Sequence, residues 1–429
     1  MSRATWHALA TQELAGAGMV EALAVRTLEG LTVEPVYEDR SRLGARLPAR
    51  IPRIVCRVGP TEAAAAAGRV REEALGGADG VWLAAEEAGW DPAGLREVLA
   101  AAAESSLTIA LEPGTQPGPR VAAALDFVGA PDSGGVGWLL GIEPLRVPAA
   151  ACADLVRAAA ERAPRARALL VDATPFHDAG AHAVTELAVL LAGTAECLRG
   201  LERAGRSPDE VLCSLAWRLP MERDFFGGIA KVRAARLLGT RLAESCGSAA
   251  ETCIHATSSA RTLTRREPHT NLLRLTVQAT AAMLGGADAL SLHAFDAALG
   301  APGALGRRMA RNTQLVLRHE TGLAAEADPA GGSPHLDERT RALARAAWNE
   351  FRALERGGGL ARALADGSLR ARLAAEWDAR RKRLAAREEI VLGVNLHAAE
   401  AAPPAAAPAA AGPWNLPRHR EEEAAEAAA

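Results

Sequence analysis

Aromatic side chains are scarce in this sequence: they make up 3% of the residues, and Tyr37 is the only tyrosine. The six cysteines are scattered and form no C-x-x-C pair, which argues against a disulfide scaffold or a cysteine metal cluster and fits a reducing cytoplasm. No segment approaches the ~20 uninterrupted apolar residues that span a bilayer. The charged N-terminal stretch MSRATWHALATQELAGAG is also unlike a secretory signal. We therefore expect a cytoplasmic protein that does not enter a membrane.

The sequence also lacks an excess of charge of one sign. The formal net charge is -3, and acidic and basic residues are interspersed along the chain. A nucleic-acid partner needs a basic patch, so none is expected. What the chain does have is 49% hydrophobic residues over 429 positions, enough to build a large packed core.

Short apolar runs typical of strands alternate with helical runs rich in Ala, Leu and Arg, which is the pattern of βα units. The runs are RIVCRV (53–58), GVWLA (80–84), LTIAL (107–111), VGWLLGI (136–142), ALLVD (168–172), VLCSLAW (211–217), TCIHA (252–256) and ALSLHAF (289–295). Eight such units over roughly 250 residues match a TIM-type (β/α)8 barrel. An open doubly wound sheet is the alternative, but no glycine-rich dinucleotide turn follows the first strand. The predicted fold class is α/β, a (β/α)8 TIM-type barrel with a C-terminal helical extension.

The pattern divides the chain into four parts. Residues 1–45 form an N-terminal extension that we interpret as an arm for a partner, and residues 46–300 form the barrel. Residues 301–397 are helical and complete the barrel domain. Residues 398–429 are rich in Ala and Pro and then acidic, which predicts a disordered tail.

The carboxyl ends of barrel strands are where such folds place their sites, and Asp172, Trp217, His255 and His293 lie at or near these ends. A lone histidine there is more often a hydrogen-bonded structural residue than a catalytic one. No pair of residues shows a nucleophile-and-base pattern, and no spacing resembles a metal site. The residues alone leave the function open.

Four blocks in the C-terminal half carry a resemblance. They are FFGGIAKVRAARLLGTRLAE (225–244), IHATSSARTLTRREPHTNLLRLTVQATAAMLGGADALSLHAFDAALGAP (254–302), RRMARNTQLVLRHETGLAAEADPAGGSPHLDERT (307–340) and IVLGVN (390–395). In this order and spacing they resemble the acyl-CoA-binding barrel of the methylmalonyl-CoA mutase family. The resemblance covers about residues 165–397, and LTVEPVYEDR (31–40) weakly resembles the family's entry segment.

The resemblance implies a radical isomerase, in which adenosylcobalamin supplies a 5′-deoxyadenosyl radical and an acyl-CoA rearranges inside the barrel. The cofactor does the difficult chemistry, and the protein positions and shields the reactants. The family's cobalt-binding Asp-x-His-x-x-Gly loop has no counterpart in the sequence. We therefore expect no cofactor and no metal on this chain alone, and adenosylcobalamin in a complex to be held by the partner.

The stretch VDATPFHDAGA (171–181) departs from the family's catalytic chains, which carry a Tyr-His pair before a similar ending. Thr174 takes the tyrosine position and Pro175 the histidine position, and proline has no side-chain donor. His177 is two residues further along and is the one residue whose loop path could restore a donor. Just upstream, Arg146 is the nearby base, and nothing fixes it as a carboxylate clamp.

Later motifs also differ from those of the family's catalytic chains. Where the family has His-x-Gln-Thr-Ser-Gly, this chain keeps His255 but has Thr257 in place of the glutamine, followed by Ser258. Further on, Ser291 takes a histidine position and His293 an asparagine position. No catalytic residue is expected. The residual candidates at the barrel mouth are Asp172, His177, His255, Ser258 and His293.

Three hypotheses follow from the resemblance. The first is a small, beta-type, non-catalytic subunit that forms a heterodimer with a catalytic large subunit and stabilises it, with acyl-CoA binding left open. The second is the acyl-CoA-binding subunit of a split mutase whose cobalamin domain is a separate chain. The third is a homo-oligomeric acyl-CoA-binding or regulatory barrel without turnover.

Overall fold

A closed barrel of eight parallel strands forms the centre of the protein. The structure is a computed structural model, and it describes residues 3–14, 20, 23–38, 51–59, 61–85, 88–114, 116–128, 138–163, 166–398 and 413–426. Each barrel strand pairs with the next along the chain, and the last pairs with the first, so the sheet has no free edge. The predicted TIM-type barrel is confirmed. Its strands are β3 Arg53–Val58, β4 Gly80–Leu83, β5 Thr108–Leu111, β6 Trp138–Ile142, β7 Arg167–Asp172, β8 Leu215–Pro220, β9 Cys253–Thr257 and β10 Ala289–Ser291, after a short antiparallel pair, β1 Val25–Arg26 and β2 Thr32–Val33.

One predicted strand is displaced along the sequence. The run 211–217 was expected to be a strand, but Pro208–Cys213 forms a helix and the strand begins at Leu215. A capping box explains the helix, because Ser207 accepts from the Glu210 amide while the Glu210 side chain accepts from the Ser207 amide. The eighth strand is also shorter than the predicted run 289–295.

Helices follow the strands and surround the barrel. Those of the N-terminal part and the barrel are α1 Arg3–Glu13, α2 Ala63–Leu75, α3 Pro92–Glu104, α4 Pro117–Val128, α5 Ala149–Arg162, α6 Thr174–Asp178, α7 Ala183–Arg203, α8 Pro208–Cys213, α9 Phe225–Ser245 and α10 Thr270–Gly285. The extension adds α11 Ala304–His319, α12 Pro334–Arg356, α13 Leu360–Ala365, α14 Ser368–Ala385 and α15 Glu421–Glu426. Helix α12 packs against both α7 and α9, so the extension covers the barrel helices rather than forming a separate unit.

Inward-facing side chains from all eight strands pack inside the barrel. One cluster takes a mostly apolar residue from each strand: Val55, Trp82, Ala110, Leu139, Leu170, Ala216, Cys253 and Ala289. Side chains two positions apart share a face of a strand. The next layer towards the carboxyl ends is therefore polar, with Arg57, Glu112, Asp172, Arg218, His255 and Ser291. The carboxyl-terminal end of the barrel interior is therefore polar and charged, and the interior beneath it is mostly apolar.

The C-terminal segment 413–426 corrects a prediction. Residues 398–429 were expected to be a disordered tail, but residues 413–426 contain a short 3-10 turn and α15. Leu416, Glu421 and Glu422 are buried against the barrel domain. The compositional argument was wrong here because it treated the glutamates as solvated, whereas they meet arginines of the barrel. Residues 399–412 lie outside the described residues.

Within the described ranges, no helix combines the length and apolar character needed to cross a membrane. All six cysteines are free thiols, as expected from their scattered spacing.

Gly180, the last residue but one of VDATPFHDAGA, has a conformation that favours glycine, with φ of +114°. A Cβ there would lie 2.6 Å from Cβ of Trp377 and 2.8 Å from the carbonyl oxygen of Leu373. We expect Gly180→Ala to lower the free energy of unfolding by about 2–4 kcal/mol, through backbone strain and overpacking. Urea denaturation measures this.

Gly205 provides the matched control, because its φ is +82° and, apart from its two chain neighbours, no residue has an atom within 4 Å of a Cβ added there. Gly205→Ala should cost only the conformational penalty, about 1–2 kcal/mol. Equal losses in the two variants would contradict the packing argument.

Candidate functional site at the barrel mouth

Asp172, the last residue of β7, is committed to two structural contacts. Its Oδ1 accepts hydrogen bonds from the Thr174 amide at 2.8 Å and the Thr174 hydroxyl at 2.7 Å. Its Oδ2 accepts from Nη1 of Arg218 at 2.9 Å, in a buried ion pair. The hydroxyl of Thr174 therefore points back to the strand end.

Pro175 lies in the first turn of α6, where the missing backbone N–H leaves no helical hydrogen bond unmade. The proline therefore suits the local backbone but gives the mouth no donor. Phe176 and His177, which follow it, are both buried.

His177 is held by both ring nitrogens. Nδ1 lies 2.7 Å from Oε1 of Glu186, and Nε2 lies 2.6 Å from Oγ of Ser259. Glu186 is on α7 and Ser259 follows β9, so the ring is fixed between the barrel and a helix rather than offered to a ligand. The alternative loop path that would make His177 a free donor is not the one adopted.

Glu186 is fully buried and contacts both Lys231 and His177. Nζ of Lys231 lies 2.7 Å from its Oε2, opposite the contact with His177. Burial alone would raise the pKa of Glu186, but the charges of Lys231 and His177 outweigh it and lower the pKa. The carboxylate is therefore ionised at neutral pH.

Three side chains near this point have the geometry of metal ligands. Donor atoms of His177, Glu186 and Glu222 all lie within 4.8 Å of one another. Lys231 already contacts Glu186, and Arg261 and Arg380 lie 3.3 and 2.8 Å from carboxylate oxygens of Glu222. Because these cations occupy the places where a metal ion would balance the carboxylates, the cluster is a buried salt-bridge network and does not fit a metal.

His255 and His293 are each paired with a serine. Nε2 of His255 lies 2.7 Å from Oγ of Ser291, and Nδ1 of His293 lies 2.9 Å from Oγ of Ser258. Burial is the main cause that lowers the pKa of His255 to about 3, helped by the charge of Arg218. Burial likewise lowers the pKa of His293 to about 4. Both rings are neutral near pH 7.

Trp82 and Arg218 are in contact inside the barrel. The guanidinium carbon of Arg218 lies 3.9 Å from the centroid of a Trp82 ring, a cation–π contact, and both side chains are buried. The indole N–H of Trp82 donates to Oε2 of Glu112 at 3.0 Å. Sequence reasoning missed Arg218, although an arginine inside the apolar run LAWRLP was a visible signal. Trp217, by contrast, donates to Thr194 on α7 and points away from the lumen.

Glu143 lies above β6 beside these groups. Burial, and next the nearby charge of Asp172, raises its pKa to about 8, so the carboxyl is mostly protonated at neutral pH. Arg146, the one base expected upstream of the motif, lies 3.4 Å from a Glu143 oxygen. This arginine therefore faces an acid of the protein itself.

Residues 413–426 lie across the mouth. The His419 amide donates to the Asp178 carbonyl at 2.8 Å, and the Glu421 amide donates to the Arg261 carbonyl at 3.0 Å. Burial opposes ionisation of Glu421, but Arg223, Arg380 and Arg261 lower its pKa to about 2.

Sequence comparison now gives this arrangement a context. Residues 141–424 match the profile of the family described as methylmalonyl-CoA mutase. The chain is 37% identical to a methylmalonyl-CoA mutase small subunit of Streptomyces virginiae over 98% of this chain and 74% of that protein. It is 36% identical to a methylmalonyl-CoA mutase small subunit of Propionibacterium freudenreichii subsp. shermanii over 63% of this chain and 43% of that one. It is 33% identical to the mitochondrial methylmalonyl-CoA mutase of Bos taurus over 58% and 34%, respectively.

The chain belongs to the methylmalonyl-CoA mutase family. The match begins at the end of β6, covers β7 to β10 and the helical extension, and reaches into the C-terminal segment 413–426.

Mutases of this family generally depend on adenosylcobalamin, and the described mouth does not fit it. A cobalt ligand needs a histidine nitrogen that can reach a corrin. His177 and His255 are buried and His293 is partly buried, and all three are bonded to neighbouring side chains. His419 stacks on Trp377 with ring centroids 4.4 Å apart. No step can therefore be assigned to this cofactor on these residues.

Lys231→Met should be strongly destabilising, because it leaves the buried Glu186 carboxylate with one cationic partner fewer. Removing one member of a buried ion pair costs about 3–5 kcal/mol. The free energy of unfolding in urea measures the loss. Arg241→Met is the matched control, since its pair with Glu244 is exposed on both sides and should contribute too little to detect.

The two neutral histidines predict a loss of stability in acid. An unfolded histidine titrates near pH 6.5, whereas folded His293 titrates at about 4, so the unfolded chain binds more protons between these values and stability falls as the pH falls. Asparagine can replace the Nδ1 contact of His293 without titrating. His293→Asn should therefore reduce the slope of unfolding free energy against pH, between pH 6.5 and 4, by up to about one proton. An unchanged slope would show that His293 does not resist protonation.

Proposed function

We propose that this chain is the small, non-catalytic subunit of an adenosylcobalamin-dependent methylmalonyl-CoA mutase. In this proposal it forms a cytoplasmic heterodimer with a catalytic large subunit, which holds the cofactor. The complex interconverts methylmalonyl-CoA and succinyl-CoA by radical rearrangement of the carbon skeleton. The names of the Streptomyces and Propionibacterium relatives support this assignment.

The observation that carries the proposal is the loss of polar donors at VDATPFHDAGA. A catalytic barrel of this type needs donors for the thioester carbonyl of its substrate, and preorganised donors give electrostatic stabilisation. Here Thr174 donates to Asp172, Pro175 has no donor, and His177 is bonded to Glu186 and Ser259. The residues that could replace the expected pair are therefore all engaged within the protein.

Contacts inside the barrel are a second support. Arg218 makes a cation–π contact with Trp82, and the Trp82 indole N–H donates to Glu112. An acyl-CoA that entered the barrel here would have to separate Trp82 from Arg218, both of which are buried. The interior is built for internal packing, which suits a subunit that supports its partner.

The loss of a site need not disturb the fold. In a TIM-type barrel, the stability of the core and the chemistry of the strand ends lie in different layers. The apolar core and the outer helices can thus preserve a surface for the large subunit while the residues at the barrel mouth change. We expect that interface to be large and permanent.

Purification and assay of defined mixtures test the proposal. The chain alone should be inactive, it should co-purify with a catalytic large subunit, and the pair should isomerise methylmalonyl-CoA in the presence of adenosylcobalamin. If the chain were active with a separate cobalamin-domain protein and no large subunit, the split-mutase alternative would replace this proposal. If it bound neither partner, a homo-oligomeric role would be favoured.

Pro175→Ala tests the absence of catalysis at this mouth. Because Pro175 gives no donor, we expect turnover of the purified complex to stay within about threefold of the parent. Pro334→Ala, which changes a proline in the first turn of α12 on the outside of the domain, is the matched control. A hundredfold loss of turnover with Pro175→Ala, and none with Pro334→Ala, would contradict the proposed role.

A further inference from the structure

The underside of segment 413–426 meets a groove rich in arginine. Glu421 lies 2.6 Å from Arg380, 2.7 Å from Arg223 and 3.6 Å from Arg261. Glu421 and Arg261 each have about 1% of their surface exposed. The Glu421 carboxylate is therefore fully removed from water. This costs free energy unless its cationic partners are already held in position.

Glu422 makes a second set of contacts on the same face. Its carboxylate accepts hydrogen bonds from the backbone amides of Arg265 and Arg266 and from Nε of Arg265, at 2.8 to 3.0 Å. Glu426 adds an ion pair with Arg266 at 3.0 Å. Two adjacent backbone amides that converge on one carboxylate form an anion-binding nest, which is a recognition feature rather than general charge attraction.

Aromatic contacts anchor the first half of the segment. Trp414 stacks on Phe176 with ring centroids 5.2 Å apart, and His419 stacks on Trp377. Ring stacking, backbone hydrogen bonds and carboxylate contacts thus follow one another along this short segment. Sites that bind linear peptide motifs combine contacts in the same way.

The receiving groove is supplied by the barrel and its extension. Its arginines come from the residues after β8 and β9 and from α14, and they retain partners of their own, since Glu222 contacts both Arg261 and Arg380. Two buried nitrogens of Arg261 face carboxylates: Nε lies 3.6 Å from Glu421, and Nη2 lies 3.3 Å from Glu222. Arg261 is therefore shared between the segment 413–426 and the barrel.

We propose that this groove is a docking site for an acidic, aromatic peptide, and that residues 413–426 of the same chain are its built-in occupant. The segment is a separable strap that closes the mouth of the barrel over Asp178 and Arg261. The same peptide supplied from outside competes with it for the groove. This inference is independent of the proposed mutase role, because it depends only on contacts within the chain.

Hydrogen exchange of the full chain tests whether the strap is separable. In the double variant Glu421→Gln, Glu422→Gln, amides of 413–426 should exchange about tenfold faster or more, whereas amides of α7 should not change. Glu423→Gln is the control, because Glu423 is exposed on the same helix and this change removes one negative charge without removing a buried contact. Trp414→Ala is a second variant. It removes the ring that stacks on Phe176 without taking a carboxylate from any arginine, and it should also speed the exchange of 413–426.

A labelled synthetic peptide of residues 413–426 tests the docking site directly. By fluorescence anisotropy it should bind the double variant at least about tenfold more tightly than the parent, whose own strap competes. A peptide with glutamine at both glutamate positions should not bind. If exchange of the strap is unchanged in both variants, if it rises together with that of α7, or if the peptide binds neither protein, the proposal is overturned.

Discussion

The mouth of this barrel is organised around negative charge that is held away from water. Glu186 is buried completely and remains ionised because Lys231 and His177 contact its two oxygens. Taking such a charge out of water costs several kcal/mol, so the surrounding groups must be fixed before it becomes tolerable. His177 is fixed in turn by Ser259, and its carbonyl accepts from Arg261. The contacts made by the β7–α7 connection thus serve to pair the Glu186 carboxylate.

The C-terminal segment 413–426 is part of the same network of buried charges. Arg261 and Arg380 balance Glu222, and both also contact Glu421. A network of this kind is costly when partly satisfied and rigid when fully satisfied. Glu421 therefore completes a structure that begins at Glu186, and this explains how so short and polar a helix as α15 can be buried. The network links the barrel to a segment that sequence composition places outside it.

Sequence reasoning predicted the barrel well because continuous apolar runs are a direct consequence of strands covered on both faces. It failed at residues 211–217, where apolar residues continue across a helix and a strand, although the Ser207–Glu210 capping box is a readable signal. It identified Asp172, His255, Ser258 and His293 as mouth residues but could not show their pairings, which bring together residues from different strands. It also treated Glu421 and Glu422 as solvated, because no sequence rule states which arginines a distant carboxylate will meet.

The mouth of this barrel is crowded with contacts inside the chain. Thr174 is bonded to Asp172, His177 to Glu186, and Arg146 to Glu143. Polar groups at a strand end that lacked a partner would be left buried and unsatisfied, at about 1–3 kcal/mol each. Internal pairing removes that cost and stabilises the barrel, and the arrangement around Glu186 has this character.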